Sequence, residues 1–362
     1  MQDLLIAVKD EGRNRQRALD FCAEFRGSNR RPKFVFGCTS YAHDILKGVE
    51  IDAFVDDLFQ QPSYLGKPVI RSTDIPSNAL VVAASIFRPT TMKAKLDSLE
   101  VESLDFFAFC KFSGLNLKQA AFSEGNVEDY NKHKSSYETV HELLEDDLSK
   151  SIFRRLLSFR VTNDISHLAD FSLRDKEQYF EDFLDLKPDG ETFVDVGGFD
   201  AYTSRQFMKR CPQYRHVHLF EPELKNYEVC RAALKDTPRV SCYNLGLSDK
   251  QEVLKFSSSG SASQINEDGD LTIRVERLDS LDIERPTFIK MDIEGAEKQA
   301  LAGGSRTIER HHPRLAIAAY HRPGDFWRLP FQVRAIRDDY RIYMRHYAES
   351  LYETVMFFVP KG

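Results

Sequence analysis

No stretch of this 362-residue sequence stays apolar long enough to cross a bilayer. The longest apolar runs, at Ala79–Ser85 and Val355–Val359, fall far short of the roughly 20 residues a spanning helix needs. No transmembrane segment is expected. The N-terminus lacks the basic start and small-residue cleavage site of a secretory leader, because Met1-Gln2-Asp3 leads into a short apolar run and then Lys9-Asp10-Glu11. Cysteine is scarce and scattered. The six cysteines (Cys22, Cys38, Cys110, Cys211, Cys230, Cys242) show no C-x-x-C spacing, which argues against zinc and suits buried thiols in a reducing cytoplasm. Basic excess is also missing. With 50 Lys and Arg against 56 Asp and Glu, the net charge of −6 argues against a dedicated nucleic-acid surface, although Arg26–Lys33 could form a local basic patch.

What is present is ample core material, with 42% hydrophobic and 29% charged residues in a chain long enough for two domains. Asp10–Phe25 has helical spacing, and KFVFGC from Lys33 reads as a strand that turns through Thr39-Ser40 into a helix. IDAFVDD follows as a second strand, ALVVAAS at 79–85 as a third and LDFFAFC at 104–110 as a fourth, with short loops such as GKPVIRS between elements. Residues 1–115 are therefore expected to form a small Rossmann-like α/β domain. Residues 116–185 turn polar and read as a helical linker, with apolar positions at helical spacing over Tyr137–Phe159. Residues 186–362 carry the chemistry.

That segment opens with the strand Thr192-Phe193-Val194-Asp195-Val196, the turn Gly197-Gly198-Phe199-Asp200-Ala201 and a helix starting near Tyr202-Thr203. Small residues at a strand end let backbone approach a ligand while the helix start offers free N–H groups. The next strand, HVHLFEP, ends in Glu221, 23 residues past Gly198, near the spacing at which a carboxylate accepts hydrogen bonds from ribose hydroxyls. Asp195 and Glu221 could instead only cap helices. The later glycines of G-x-G-x-x-G are absent, which disfavours a pyrophosphate-bearing dinucleotide. Asn244–Leu247 follow a third strand and Asp292 a fourth, so that four strand ends would line one crevice.

The succession FVDVGGFDAYTS, HLFEPE, NLGLSD, SSSGSAS, VERLDSL, FIKMDIEGAEKQALAGG and PRLAIAAYHRPGDFWRLP resembles the FkbM family of methyltransferases over about 175–362. The resemblance implies a doubly wound class I methyltransferase sheet, S-adenosylmethionine as cofactor and a hydroxyl acceptor, often on a sugar or polyketide. Ala201 stands where the family often has glycine, and Phe199-Asp200 replace a commoner Ala-Asn pair. Carried over by position, Asp195, Gly197, Gly198, Phe199 and Asp200, with Tyr202 and Thr203, should wrap the methionine end. Glu221, followed by Pro222, should hold the ribose, and Asn244, Leu245, Gly246 and Leu247 should edge the adenine. Glu177-Gln178-Tyr179-Phe180 resembles a lead-in whose aromatic covers the cofactor, a role that falls to Tyr179.

Methyl transfer needs the acceptor aligned, water excluded and a proton accepted. Lys290 and Asp292 lie two apart on one strand and so share a face, where they could form a charged pair beside the cofactor or reach the acceptor and shape the catalytic field, with Asp292 also expected near the cofactor's amino group. Glu294 is expected to cap a helix beginning at Gly295. His321, after LAIAAY, is the expected general base, since an imidazole with a reference pKa of about 6.5 takes up a proton near neutral pH. Tyr320, Arg322 and Trp327 are the expected substrate contacts, although Trp327 could simply pack on the core. Asp292 and Glu294 with a further oxygen could hold magnesium, but the spacing favours no metal. The expected partner is a small-molecule or glycan substrate. The N-terminal domain, with one glycine in GCTSYA, would bind a substrate's nucleotide or mediate homodimer contacts. A non-catalytic scaffold that kept the cofactor fold is the alternative.

Overall fold

The structure is a computed structural model and describes all residues except 1–3, 9, 29, 258–263 and 266–270. All but the first residue of the serine-rich run at 257–263 therefore lies outside the described residues. The chain divides into two compact units. The first comprises Met1–Val127, Phe153–Leu173 and Ala348–Tyr352, and the second Glu128–Ile152, Arg174–Tyr347 and Glu353–Gly362, so the polar stretch 116–185 is shared between them. No described helix is long and apolar enough to cross a membrane.

In the first unit, strands β1 (Lys33–Phe36), β2 (Ala53–Val55), β3 (Ser63–Tyr64), β4 (Lys67–Ile70), β5 (Leu80–Ala83) and β6 (Glu102–Asp105) pair in the order β3-β4-β2-β1-β5-β6. All described pairings in this sheet are parallel except β3 with β4. Helices α1 (Glu11–Arg26), α2 (Ser40–Gly48), α3 (Pro89–Ser98) and α4 (Phe106–Phe112) accompany it. Two expectations need correcting. LDFFAFC is not one strand: β6 stops at Asp105, whose carboxylate accepts the Ala108 N–H and starts α4, so the aromatic run is helical. GKPVIRS is not merely a loop, because its Lys67–Ile70 joins the sheet beside β2.

Helices α5 (Asn126–Leu143) and α6 (Asp147–Thr162) follow, and the division between units falls within each. The second unit is built on β7 (Thr192–Val196), α7 (Tyr202–Arg210), β8 (His216–Phe220), α8 (Leu224–Ala233) and β9 (Val240–Tyr243). A small sheet of β10 (Gly246–Leu247), β11 (Glu252–Ser257), β12 (Gln264–Ile265) and β13 (Leu271–Glu276) interrupts it, in the order β10-β13-β11-β12. The main sheet resumes with β14 (Phe288–Met291), helices α9 (Glu297–Gly303) and α10 (Ser305–His311), β15 (Arg314–Ala318), α11 (Asp325–Ile336), β16 (Tyr340–His346) and β17 (Thr354–Pro360). Its order is β16-β17-β15-β14-β7-β8-β9, with β17 antiparallel to both neighbours. This is the doubly wound sheet expected from the sequence. The chain leaves β7 toward β8 on one side and returns through β14 on the other, so the switch point of the sheet lies between β7 and β14, where such folds bind ligands.

Strands buried on both faces read as continuous apolar runs, and β7, β14 and β17 do so apart from the residues that carry the site. Phe193 on β7 lies stacked between Phe207 of α7, at 4.5 Å, and Phe288 of β14, at 5.0 Å, all three fully buried. Removing that ring leaves a cavity at the centre of the sheet. Phe193→Ala should therefore cost about 3–5 kcal/mol, read as a lowered denaturant midpoint of the second unit's transition, whereas Phe199→Ala, at a half-exposed loop position, should leave the midpoint nearly unmoved. Equal midpoints for the two variants would refute the placement of β7 at the core.

Candidate functional site

The carboxyl end of β7 carries a fully buried carboxylate, Asp195, on an otherwise apolar strand. The register places it opposite Lys290 of β14. Lys290 Nζ lies 3.2 Å from Asp195 Oδ1, and Ser204 Oγ of α7 donates to Asp195 Oδ2 at 2.7 Å. The same ammonium donates to Gly197 O at 2.7 Å and Val196 O at 3.3 Å, so its three protons all have protein partners. Burial pulls the Lys290 pKa down, but Asp195 and Asp292 more than offset this and hold it above its ordinary value. Lys290 thus pairs with Asp195 across the sheet, not with Asp292 along its own strand: Asp292 lies beyond the end of β14.

The loop that follows needs its glycines. Gly197 has φ +85°, and a Cβ there would lie 2.0 Å from the carbonyl oxygen of Asp292. A Cβ on Gly198 would lie 2.4 Å from the Leu219 side chain. Phe199 and Ala201 also take left-handed backbone, and Asp200 accepts the Tyr202 N–H at 2.8 Å as α7 begins, with Tyr202 and Thr203 half-buried in its first turn. Glu221, just past β8, grips this loop from the other side. Its buried carboxylate accepts the Phe199 N–H through Oε2 and the Glu223 N–H through Oε1, both at 2.9 Å. Burial raises the Glu221 pKa, with these N–H groups and Lys290 opposing it. Asn244 spends its amide N–H groups on the carbonyls of Glu221 and Pro222, at 3.1 and 2.9 Å. Leu245 is half-buried, while Gly246 and Leu247 form β10 and pair with β13.

A second group gathers around Asp292. Tyr179, buried with φ +71°, donates its hydroxyl to Asp292 Oδ2 at 2.5 Å, and Tyr320 donates to Oδ1 at 3.4 Å. Burial and the neighbouring carboxylates raise both phenols well above their usual range, so both act as donors. His321, its side chain fully buried, has Nε2 3.4 Å from Asp292 Oδ1 and 3.6 Å from Glu294 Oε2, and Nδ1 2.9 Å from Glu297 Oε1. Burial alone would lower the His321 pKa, but Glu297, Asp292 and Glu294 together push it up to about 10. In this setting the imidazole holds its proton at neutral pH, so it presents a cation to Asp292 and is not the free base expected from its reference value. Burial pushes Glu294 up to about 8.

Glu294 does not cap a helix from Gly295. It sits at φ +57° and Gly295 at φ +97°, so helical backbone starts only later, at Glu297 of α9. Gly295 lies under the Arg322 guanidinium, whose Nε would be 2.5 Å from an added Cβ. Arg322 itself is exposed. Trp327 is engaged elsewhere: its indole N–H donates to Asp129 at 2.9 Å, and its ring lies 4.6 Å from the His133 ring of α5. Sequence reasoning missed Ser204, Gln178, Glu297 and Glu353. Gln178 donates to the Tyr179 hydroxyl at 3.0 Å and to the Glu353 carboxylate. Glu297 had a signal in the segment IEGAE, three residues past Glu294, whereas nothing local marks Glu353.

Residues 189–348 match the family model described as the Methyltransferase FkbM domain. The 2-O-methyltransferase NoeI of Sinorhizobium fredii (strain NBRC 101917 / NGR234) is 24% identical over 150 residues, which is 34% of this chain and 61% of that protein. The chain thus spans about three fifths of the length of this curated relative. The crystal structure of methyltransferase FkbM from Methylobacillus flagellatus KT superposes with a TM-score of 0.77 at 23% identity, covering 99% of this chain and 95% of that one, a likeness of fold. Together with the doubly wound sheet, the glycine turn after β7 and the buried acid after β8, the match assigns residues 189–348 to the FkbM methyltransferase family.

Proposed function

We propose that this chain is an S-adenosylmethionine-dependent O-methyltransferase whose acceptor is a hydroxyl of a sugar, glycan or related small molecule. The observation that carries the reading is Glu221, a buried carboxylate beside the switch point whose two oxygens each take one loop N–H. Each oxygen keeps acceptor capacity, which suits the paired hydroxyls of a ribose. The rest of the loop fits the same cofactor. Two glycines let the loop pass close against Asp292 and Leu219 at the switch point, and no third glycine makes room for a pyrophosphate. The hydroxyl acceptor draws support from the similarity to NoeI, a 2-O-methyltransferase.

When bound, S-adenosylmethionine would supply an electrophilic methyl group to an acceptor oxygen, with its thioether as the leaving group. The chain's own contribution is placement and charge. Lys290 fixes the carbonyls of Val196 and Gly197 and neutralises Asp195, which keeps the loop closed over the end of β7. Asp292, steadied by Tyr179 and Tyr320, accepts a hydrogen bond from the incoming hydroxyl and aligns its oxygen. His321, as a cation, sets the field beside Asp292, and the hydroxyl proton passes to the Asp292 carboxylate. Exposed Arg322 extends the acceptor side. Trp327 holds α11 against Asp129.

Glu221→Ala removes a charge-assisted acceptor and should weaken S-adenosylmethionine binding by about 1.5–3 kcal/mol, measured by calorimetry. Unchanged affinity in a folded variant would sink the ribose assignment. Asp292→Asn keeps the shape and removes the charge, so turnover of a hydroxyl acceptor should fall by about 10²–10⁴-fold, with the far-UV spectrum preserved. Near-normal single-turnover rates would show that Asp292 plays no part in the acceptor step.

A further inference from the structure

Asp292, Glu294, Glu297 and His321 bring three carboxylates onto a single imidazole, and Glu353 acts electrostatically on the same group. Among the described residues, the buried ammonium nearby, Lys290, is already committed to Asp195 and two carbonyls. Arg322 lies outside, over Gly295. The imidazole is held in a specific way. Glu297 is itself fixed, its Oε1 accepting the Ile293 N–H at 2.9 Å, and it engages His321 Nδ1 at 2.9 Å. Nε2 is thereby directed at Asp292 Oδ1 and Glu294 Oε2. A carboxylate behind one ring nitrogen, orienting the other toward further ligands, is the arrangement that metal-binding histidines use.

The distances lie at the upper edge of what that use requires, and slightly beyond it for Glu294. Metal–ligand bonds of about 2.1 Å place adjacent ligand atoms of a tetrahedral or octahedral cation roughly 3.0–3.4 Å apart. The nitrogen-to-oxygen separations here are 3.4 and 3.6 Å. A further observation points to a ligand: Glu294 Oε2 is a buried oxygen for which the described residues provide no hydrogen bond. Asp292, Glu297 and His321 also bring one donor atom each within 4.8 Å of the others. Since Glu297 is occupied by His321 Nδ1 and the Ile293 N–H, its place is behind the imidazole.

We propose that His321 Nε2, Asp292 and Glu294 form a binding site for one divalent cation, with Glu297 as the positioning residue that aims the imidazole. The mixed nitrogen and carboxylate donor set suits manganese or zinc better than magnesium, whose preferred ligands are oxygens alone. The site adjoins the acceptor position, and its role in methyl transfer rests on the proposed function, although its existence does not.

The test is manganese binding by the full-length chain after chelator treatment, followed by electron paramagnetic resonance of the free ion, with zinc as competitor. One site per chain is expected. His321→Gln and Glu294→Gln should each weaken it by about tenfold or more, and Glu297→Gln by about 10–100-fold as an outer-shell change. Glu294 is the least buried of the set, so its variant keeps the test open if the buried substitutions unfold the chain. Absence of a saturable site, or the same affinity in every folded variant, would overturn the proposal. Glu221→Ala should bind manganese as the unaltered chain does. Manganese binding without S-adenosylmethionine binding would support the cation site and refute the cofactor reading; cofactor binding with no manganese site would do the reverse.

Discussion

The candidate site depends on one buried ion pair, Asp195 with Lys290, between the two strands that flank the switch point. Burying either charge alone would cost several kcal/mol, and removing one partner would leave the other uncompensated in the middle of the sheet. Because such a pair contributes little net stability, its effect is felt in geometry. Lys290 has protons left after meeting Asp195, and it uses them on the carbonyls of Val196 and Gly197. Those two carbonyls fix where the chain leaves β7. Gly197 then passes so close to the Asp292 carbonyl that no side chain fits, and Gly198 does the same against Leu219. From that fixed loop the Phe199 N–H meets Glu221.

Charge is distributed unevenly on the two sides of this pair. Toward β8, the Glu221 carboxylate is met by backbone N–H groups, an environment that keeps acceptor capacity for neutral hydroxyls. Toward β15, carboxylates outnumber cations among the described residues, and His321 stands among them. A low-dielectric site with surplus negative charge favours a positive occupant, whether a proton on the imidazole, a metal ion or a sulfonium. Its two phenols, held as donors by the same surplus, keep Asp292 in place.

Much of this was legible in sequence because the strands near the switch point are short and apolar and the turn after β7 carries unusual residues. FVDV, HLF and IKM are found as β7, β8 and β14, and Gly197-Gly198 and Glu221 occupy their ends. The errors have local physical causes. The expected Lys290–Asp292 pair followed from side-chain alternation along a strand, but the strand ends between the two residues, and the closer partner lies across the sheet. The run LDFFAFC at 104–110 reads as a strand although its Asp105 caps a helix over Phe106–Phe112. The helix expected from Gly295 is delayed by two left-handed residues, which a sequence pattern does not reveal. His321 was judged by its reference pKa, and its buried acidic neighbours come from other segments.

Glu353 shows why part of the site could not be read along the chain. In a parallel sheet, the residues that reach the ligand-binding edge lie at or just past the carboxyl ends of strands, as Asp195, Glu221, Asp292 and His321 do. The antiparallel strand β17 inverts this rule, since Ala318 at the end of β15 pairs with Val355 and the Ala319 N–H reaches Thr354 O at 2.9 Å. The beginning of β17 is thereby at the same edge as the end of β15. A residue that precedes the strand, Glu353, joins Gln178 and Tyr179 from a segment upstream of β7. Strand order and direction, which arise from tertiary packing, thus place the final carboxylate, and a search confined to residues after apolar runs passes it by.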